Sequence, residues 1–392
     1  MVRTTVIAIT GSVGKTTTKE CLAAILSVHG NTLRTLNNQN DDSGVPRTIR
    51  AMRPWHRYAV IEVGTAARGQ IKRLGRLVKP DVAIVLGVAR THTNVFQTLE
   101  DTAAEKAELL DCLAPNGTAI LNGDDARVRQ MAGGCRAKVV VCGQTSDCDV
   151  IAEGVRSAWP ERLQFTLLHD RGDRVSVRTQ LVGTHWVSSA LASLAASHVC
   201  GVPMAVAAGA LSGVAPFAGR MQPVALPNGA VVIRDEENGS PDTLNAMLKV
   251  MRESQAKRRV LVFSDVSDSK AKPRKRMQDI GKIAAELADL AVFVGEHGHH
   301  AVKSAIAAGM DPAKCHDVPG LQRAAELLAR ELRVGDLAFL KGRATHHLSR
   351  IVFAQFGSIG CWTTSCTIRP LCDVCAKLRP GFDLHRALTG VP

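Results

Sequence analysis

The sequence predicts an α/β protein with two parallel-sheet domains and a small Cys-rich tail. Short runs rich in β-branched residues alternate with helical patterns, which is typical of parallel strands joined by crossover helices. A second series of such runs begins after residue 217, and from residue 357 the sequence becomes Cys-rich and loses its periodicity. We therefore expect an ATP-binding-type domain over 1–217, a Rossmann-like domain over 218–356 and a tail over 357–392.

The predicted strands fall into two series separated by the segment GVAPFAGRMQP. The first series is TTVIAIT, YAVIEVG, DVAIVLGV, GTAILNGDD and AKVVVCG, and the second is GAVVIRDEEN, RRVLVFSDV, LAVFVGE and GDLAFLKG. The longer segments between these runs are predicted to be helices. A hydrophobic content of 45% over 392 residues is enough to bury a core in each domain.

Composition and charge restrict the functional classes. The net charge of +13 invites a nucleic-acid interpretation, but aromatic residues make up only 4% and no motif interleaves basic and aromatic side chains. The densest basic cluster, 270–276, is interpreted as a solvated loop around Pro273. The sequence shows neither an apolar run of about 18 residues nor a signal region, so we expect a cytoplasmic protein with no membrane or nucleic-acid partner.

The segment ITGSVGKTTTKE, residues 9–20, indicates a phosphate-binding loop because it lies between a strand and a helix. Gly11 and Gly14 let the backbone approach an anion, which the first helical turn would hold. Lys15 would neutralise nucleotide phosphates and the Thr16 hydroxyl would bind Mg²⁺. The common P-loop pattern requires glycine at position 9, where this chain has Ile9. A glycine turn that only caps a helix is the less favoured alternative.

Three other side chains are candidates for the same site. Glu62 ends one predicted strand and His92 follows the next, so both should lie at the carboxyl end of a parallel sheet, where they could bind Mg²⁺. Lys106 falls on the apolar face of a helix predicted over 98–113. Its amine either reaches solvent along its flexible stem or is desolvated and made less basic.

These motifs resemble those of the Mur ligase superfamily, most closely its MurF-like branch, which joins D-alanyl-D-alanine to a peptidoglycan precursor. The matching segments are TGSVGKTTT, LNNQNDDSGVPRTI, IEVGTAARGQI, THTNVF, AEKAELL, AILNGDD, GTHWVSSALASLAA and FAGRMQ, in the family's order. The resemblance covers residues 4 to about 355 and explains why Ile9 need not be glycine.

The resemblance implies an ATP- and Mg²⁺-dependent ligase. A small-molecule or peptide carboxylate is phosphorylated, an amine attacks the acyl phosphate, and an amide, ADP and phosphate are formed. The implied catalytic residues are Lys15, Glu62, His92 and Lys106. The last matches a lysine that is carbamylated in many members, and its carbamate would be a ligand for a second Mg²⁺ ion. The implied ATP-binding residues are Thr10, Gly11, Ser12, Gly14, Lys15, Thr16, Thr17, His185, Trp186 and Arg220. The implied substrate-binding residues are Asn37, Asn38, Asp235, Asn238, Lys341 and Arg343.

The chain departs from the family pattern in three places. It starts at the ATPase strand, whereas MurF-like enzymes carry a preceding domain that binds the UDP-sugar. Trp186 and Ser189 replace two adenine-reading asparagines, and Trp186 either stacks on the base or belongs to the core. RDEENGSPDTL also differs from the family's segment. We therefore expect an amino acid, peptide or related metabolite in place of UDP-muramyl peptide, and an amine other than D-alanyl-D-alanine.

The tail carries CWTTSCTIRPLCDVC, which places Cys361, Cys366, Cys372 and Cys375 in a C-x4-C-x5-C-x2-C array. Four thiolates with this spacing can hold a structural Zn²⁺, and a [4Fe–4S] cluster would use the same ligand set. Unligated or redox-active thiols are the third possibility. Zinc is the preferred prediction.

Two other functions stay open. A regulatory or assembly protein could use the ATPase fold and the Cys-rich tail to bind a partner such as nucleic acid. The retained Glu62, His92 and Lys106 argue against this, because a binding protein does not need a two-metal apparatus. Alternatively, the acyl phosphate could serve an intramolecular cyclisation, which the sequence does not separate from ligation of two molecules.

Overall fold

A computed structural model describes residues 3–91, 93–169, 172–267, 269–363, 366 and 371–389. The chain divides into two compact units. Unit 1 comprises Met1–Ser157 and Glu161–Ala215, and unit 2 comprises Ala158–Pro160 and Pro216–Pro392. Within the described ranges, no helix has the length and apolar character that a membrane span requires.

Unit 1 is built on a nine-stranded sheet. Its strands are β1 (Thr5–Thr10), β2 (Thr32–Arg34), β3 (Tyr58–Glu62), β4 (Val82–Val85), β5 (Thr118–Asn122), β6 (Lys138–Gly143), β7 (Val150–Arg156), β8 (Gln164–His169) and β9 (Asp173–Arg178). Its helices are α1 (Lys15–Ser27), α2 (Gly44–Arg50), α3 (Gln70–Val78), α4 (Leu99–Ala107), α5 (Ala126–Gln130), α6 (Val187–Val199) and α7 (Met204–Ser212). The strand order is β2-β3-β1-β4-β5-β6-β7-β8-β9, parallel up to β7 and antiparallel from β7 to β9.

The register of the central strands places the phosphate loop beside Glu62. All residues of β3, β4 and β5 are buried, which explains their continuous apolar runs. Strand β1 lies between β3 and β4, with Ile9 opposite Glu62 and Thr10 opposite Val85. The carboxyl ends of these strands therefore meet at one edge of the sheet, as the α/β prediction requires.

Unit 2 contains a six-stranded sheet in the order β10-β11-β15-β12-β13-β14. Its strands are β10 (Gln222–Ala225), β11 (Val231–Asp235), β12 (Arg258–Phe263), β13 (Leu290–Val294), β14 (Cys315–Val318) and β15 (Asp336–Lys341), and only β10 is antiparallel to its neighbour. Its helices are α8 (Pro241–Glu253), α9 (Pro273–Leu287), α10 (Gly298–Ala307), α11 (Leu321–Glu331), α12 (Ser349–Phe353) and α13 (Leu384–Thr389). The α/β fold class is thus confirmed for both units.

Several elements differ from the sequence prediction. The strands β2, β7, β8, β9, β10 and β14 were not predicted, because they are short or carry polar, partly exposed residues such as those of DRVSVR in β9. The basic cluster interpreted as a loop begins a helix instead, since Pro273 is the first residue of α9. The tail packs through Ile359, Cys372 and Leu378, which share an apolar cluster with Phe353 of α12.

A close approach of two helix backbones yields a test of the packing in unit 2. A Cβ atom on Gly281 of α9 would lie 2.2 Å from the carbonyl oxygen of Ala301 in α10. We expect Gly281→Ala to lower the free energy of unfolding by about 1–3 kcal/mol, measured by urea denaturation.

The matched control is Gly209, a glycine inside α7 whose added Cβ would meet nothing within 4 Å. There the lower backbone entropy of alanine in the unfolded chain is expected to raise the free energy of unfolding by about 0.5–1 kcal/mol. Equal shifts for the two variants would show that α9 and α10 do not pack this closely.

Candidate active site

The phosphate loop joins β1 to α1 in unit 1. Gly14 precedes the helix with a φ of 88°, a left-handed conformation that favours glycine. A Cβ atom at Gly14 would also lie 2.9 Å from Ser189 Oγ in α6, so backbone conformation and space both require glycine. Ser189, which stands where the family pattern has an asparagine, therefore packs against the loop. Its hydroxyl lies 3.5 Å from the Gly14 carbonyl oxygen.

Side-chain and backbone hydrogen bonds fix the rest of the loop. The backbone N–H of Ser12 donates to Gly87 O at 2.9 Å, and its hydroxyl accepts from Ala89 N at 2.9 Å. Lys15 Nζ donates to the loop's own Gly11 carbonyl at 2.7 Å. Thr10 and Thr17 carry buried hydroxyl groups without a hydrogen-bond partner among the described residues. Neither hydroxyl therefore helps to fix the loop.

A buried carboxylate lies next to the loop. Glu62 is 1% exposed, and its Oε1 accepts from Asn40 Nδ2 at 2.7 Å and from Thr16 Oγ1 at 3.3 Å. Its Oε2 is buried without a hydrogen-bond partner in the described part of the chain. A carboxylate oxygen and a hydroxyl oxygen are the donors that Mg²⁺ prefers, so this corner fits the predicted metal. The third predicted ligand, His92, lies outside the described residues.

Lys106 is buried in α4, with 2% of its surface exposed. Burial lowers the pKa of its amine to about 7, the charge of Lys15 acts in the same direction, and Glu105 opposes both. The helix predicted over 98–113 is shorter than expected, because it ends at Ala107 and a 3₁₀ turn follows at Leu110–Cys112. Because Lys106 is buried, its amine is desolvated and does not reach solvent along its stem.

Lys19 is a residue of this site that the sequence analysis missed. Its side chain is fully buried, and Nζ donates to Thr35 O at 2.9 Å and also to Asn37 O. The same nitrogen lies 2.9 Å from Glu20 Oε1 and 3.9 Å from Glu62 Oε2. Lys19 thus connects α1, the segment after β2 and the buried carboxylate. Its position one helical turn after Lys15 was the available signal.

The predicted substrate and base-binding residues of unit 1 occupy different environments. Asn37 is half-buried with a φ of 50°, which asparagine tolerates better than most residues, whereas Asn38 is exposed. His185 is half-buried, and its ring centroid lies 4.6 Å from that of Trp186. Trp186 is only 5% exposed, which favours the core alternative over stacking on a base.

In unit 2, three of the predicted residues come together. Lys341 Nζ forms a buried ion pair with Asp235 and donates to Asn238 O at 2.8 Å. Arg343 lies nearby in the chain and is exposed. Arg220 is half-buried, with its guanidinium 6.0 Å from the ring centroid of Phe217 and its Nε without a hydrogen-bond partner among the described residues.

The predicted zinc or [4Fe–4S] site is not supported. All four tail cysteines are described, and the described residues contain no group of three or more His, Cys, Asp or Glu that could hold a metal ion. Cys372 is instead buried, and its Sγ accepts from Arg350 Nε at 3.4 Å. Hydrogen bonds and apolar packing supply the cohesion that we had expected from a metal.

Comparisons with known proteins agree with this geometry. A model of the Mur ligase middle domain matches residues 9–197, and a model of the Mur ligase glutamate ligase domain matches residues 219–344. The chain is 33% identical over 297 residues to the UDP-N-acetylmuramoyl-tripeptide–D-alanyl-D-alanine ligase of Escherichia coli (strain K12). This match covers 75% of the chain but only 65% of that enzyme's length.

Solved structures give the same result. MurF from Acinetobacter baumannii superimposes with a TM-score of 0.76 at 28% identity, covering 89% of this chain and 75% of that one. MurF ligase from Thermotoga maritima, solved in complex with ADP, gives a TM-score of 0.76 and covers 90% and 79% of the two chains. Its identity is 19%, so that likeness concerns the fold alone.

The contacts of Lys19 predict a division of roles between the two lysines of α1. Lys19→Met should lower the free energy of unfolding by about 1–3 kcal/mol, because it removes the buried ammonium group that donates to the carbonyl oxygens of Thr35 and Asn37. Lys15→Met should change it by less than about 1 kcal/mol, since Lys15 is only half-buried. Urea denaturation of both variants provides the measurement. Equal stability of Lys19→Met and the unmodified chain would contradict the anchoring role.

Proposed function

This chain belongs to the Mur ligase family, in its MurF-like branch, and on that premise we propose that it is an ATP-dependent carboxylate–amine ligase. ATP phosphorylates a substrate carboxylate, an amine attacks the acyl phosphate, and an amide, ADP and phosphate leave. One observation carries this proposal. Unit 1 contains the phosphate loop, the Glu62 carboxylate with one oxygen free of hydrogen bonds to the described residues, and the desolvated amine of Lys106.

The proposed substrates are those in the name of the Escherichia coli relative, UDP-N-acetylmuramoyl-tripeptide and D-alanyl-D-alanine. This replaces our expectation of another carboxylate and another amine. That expectation rested largely on where the chain begins, which does not identify a substrate. The family comparisons favour the standard pair instead.

We assign tasks to the phosphate loop and to the residues beside it in unit 1. The loop from Thr10 to Thr17 holds the ATP phosphates with its backbone N–H groups and hydroxyls, while Lys15 offsets their charge. Mg²⁺, when bound, would neutralise charge on the transferred phosphoryl group. Thr16 and Glu62 would hold the ion, and Asn40 keeps the Glu62 carboxylate in place. We propose His92 as a further ligand.

We also propose that Lys106 is carbamylated. A neutral amine can attack CO₂ and lose a proton, which gives a carbamate whose oxygens resemble a carboxylate. Because burial brings the pKa of Lys106 to about 7, a large fraction of the amine is neutral near pH 7. The carbamate would place a negative group beside Lys15 and relieve the repulsion between the two cations.

A direct assay tests the ligase proposal. The full chain with ATP, Mg²⁺ and the two proposed substrates should release phosphate and form the amide, detected by mass spectrometry. Lys15→Met should reduce the rate at least about 100-fold, because a loop cation no longer offsets phosphate charge. Amide formed only with pools of free amino acids or peptides would overturn the substrate pair but not the chemistry. Folded protein that releases no phosphate with any pair would overturn both.

The carbamate predicts its own signature. Lys106→Ala should lower turnover at least about 100-fold while the protein stays folded. Supplied with ¹³C-bicarbonate, the unmodified chain should show a carbamate carbon signal by NMR that Lys106→Ala lacks and the exposed-site control Lys138→Ala retains. At constant dissolved CO₂ the signal should grow as pH rises through about 7, because the neutral fraction of the amine then increases. Unchanged turnover of Lys106→Ala would rule out the role.

A further inference from the structure

Two buried arginines of unit 2 take their partners from the tail. Arg234, in β11, is fully buried, and Arg350, in α12, is 1% exposed. A guanidinium removed from water is tolerated only when carboxylates or other acceptors satisfy it. The partners of these two side chains therefore indicate what the tail contributes to the unit.

Asp373 forms a two-pronged ion pair with Arg234. Its Oδ1 accepts from Arg234 Nη1 at 2.7 Å and its Oδ2 accepts from Nη2 at 3.0 Å, the geometry in which a guanidinium binds a carboxylate best. Glu236 Oε1 accepts from Nε and Nη2 at 3.0 and 2.6 Å. Burial alone would disfavour the charged carboxylate, but Arg234 overcomes this and holds the pKa of Asp373 below its ordinary value.

The other buried arginine holds the turn that presents Asp373. This is the 3₁₀ turn Cys372–Val374, in which Cys372 Sγ accepts from Arg350 Nε at 3.4 Å. Arg350 also donates to the backbone carbonyl of Thr363. The LCDVC segment, which we had interpreted as part of a metal site, thus supplies one carboxylate and one sulfur acceptor to two buried cations.

Asp373 pairs with Arg234 at the end of β11, and the next residue of that strand is Asp235. Successive side chains of a strand point to opposite faces, so Arg234 and Asp235 are held from opposite sides of β11. Asp235 lies opposite Lys341 in the register and pairs with it, and Lys341 also donates to Asn238 O at 2.8 Å. The tail on one face and Lys341 on the other therefore fix the end of β11 and the segment that leads to Asn238.

We propose that Asp373 is a positioning residue for the amine substrate, acting through Arg234 on the Asp235–Lys341 pair. This inference rests on the proposed function, and it takes that pair, which the family resemblance implies to be substrate-binding, as part of the amine site. Glu236 Oε2 has no hydrogen-bond partner among the described residues. When Asp373 no longer balances Arg234, Glu236 can rotate to bind the guanidinium with both oxygens and displace the segment that follows. Asp373 lies after residue 344, where the match to the glutamate ligase domain ends.

The test separates amine binding from carboxylate activation. Two nucleophiles are tested, each in the presence of UDP-N-acetylmuramoyl-tripeptide and ATP. D-alanyl-D-alanine requires a formed binding site for the amine. Hydroxylamine is a small nucleophile that traps the acyl phosphate as a hydroxamate. Asp373→Asn should raise the KM for D-alanyl-D-alanine about tenfold, while the rate of hydroxamate formation stays within about twofold. Asp373→Glu, which keeps the charge, should recover part of the KM.

Asp383→Asn is the matched control, because Asp383 is an exposed carboxylate of the same tail that accepts only from Arg386 N among the described residues. It should leave both reactions unchanged. An unaltered KM in Asp373→Asn, or an equal loss in both reactions, would overturn the positioning role. Absence of hydroxamate from the unmodified chain would instead defeat the proposed function, and this inference with it.

Discussion

The burial of the Glu62 carboxylate is the constraint on which the candidate active site depends. A charged group at the end of a fully buried strand is costly unless other groups offset it. Asn40 and Thr16 satisfy one oxygen, while the ammonium group of Lys19 lies 3.9 Å from the other. One carboxylate is thus stabilised by groups from α1, which follows the phosphate loop, and from the segment after β2. The oxygen left without a hydrogen bond is the one that the proposed magnesium site would use.

The same low-dielectric surroundings control the basic side chains. Lys106 lies where burial and Lys15 both disfavour its charge, so its pKa falls to about 7. Lys19 is just as buried, but it has two backbone carbonyls and Glu20 as partners. The difference between a structural and a proposed catalytic lysine is thus whether acceptors surround the ammonium group. Helix α1 therefore contains an anchoring lysine, Lys19, one turn from Lys15, the lysine proposed to bind phosphate.

In unit 2, two of the buried charges belong to arginines, and the tail supplies partners to both. Arg234 receives Asp373 and Arg350 receives Cys372, so the tail is held by specific hydrogen bonds as well as by its apolar cluster. These contacts give the tail a means of attachment that needs no metal, and the zinc prediction is not supported. The sulfur of Cys372 accepts from a guanidinium, and the described residues contain no group of three or more His, Cys, Asp or Glu that could hold a metal ion.

The sequence by itself determined the phosphate loop, the main parallel strands and the family, because these depend on local spacing and continuous apolar runs. Glu62 and Lys106 could also be predicted, since a strand end and a helix face are properties of short segments. Only the tertiary structure decided the contacts of Lys19 and the pairing of Arg234 with Asp373, whose positions are 139 residues apart. These partners come from distant segments, and their identity depends on which elements pack together. Local sequence patterns do not contain that information.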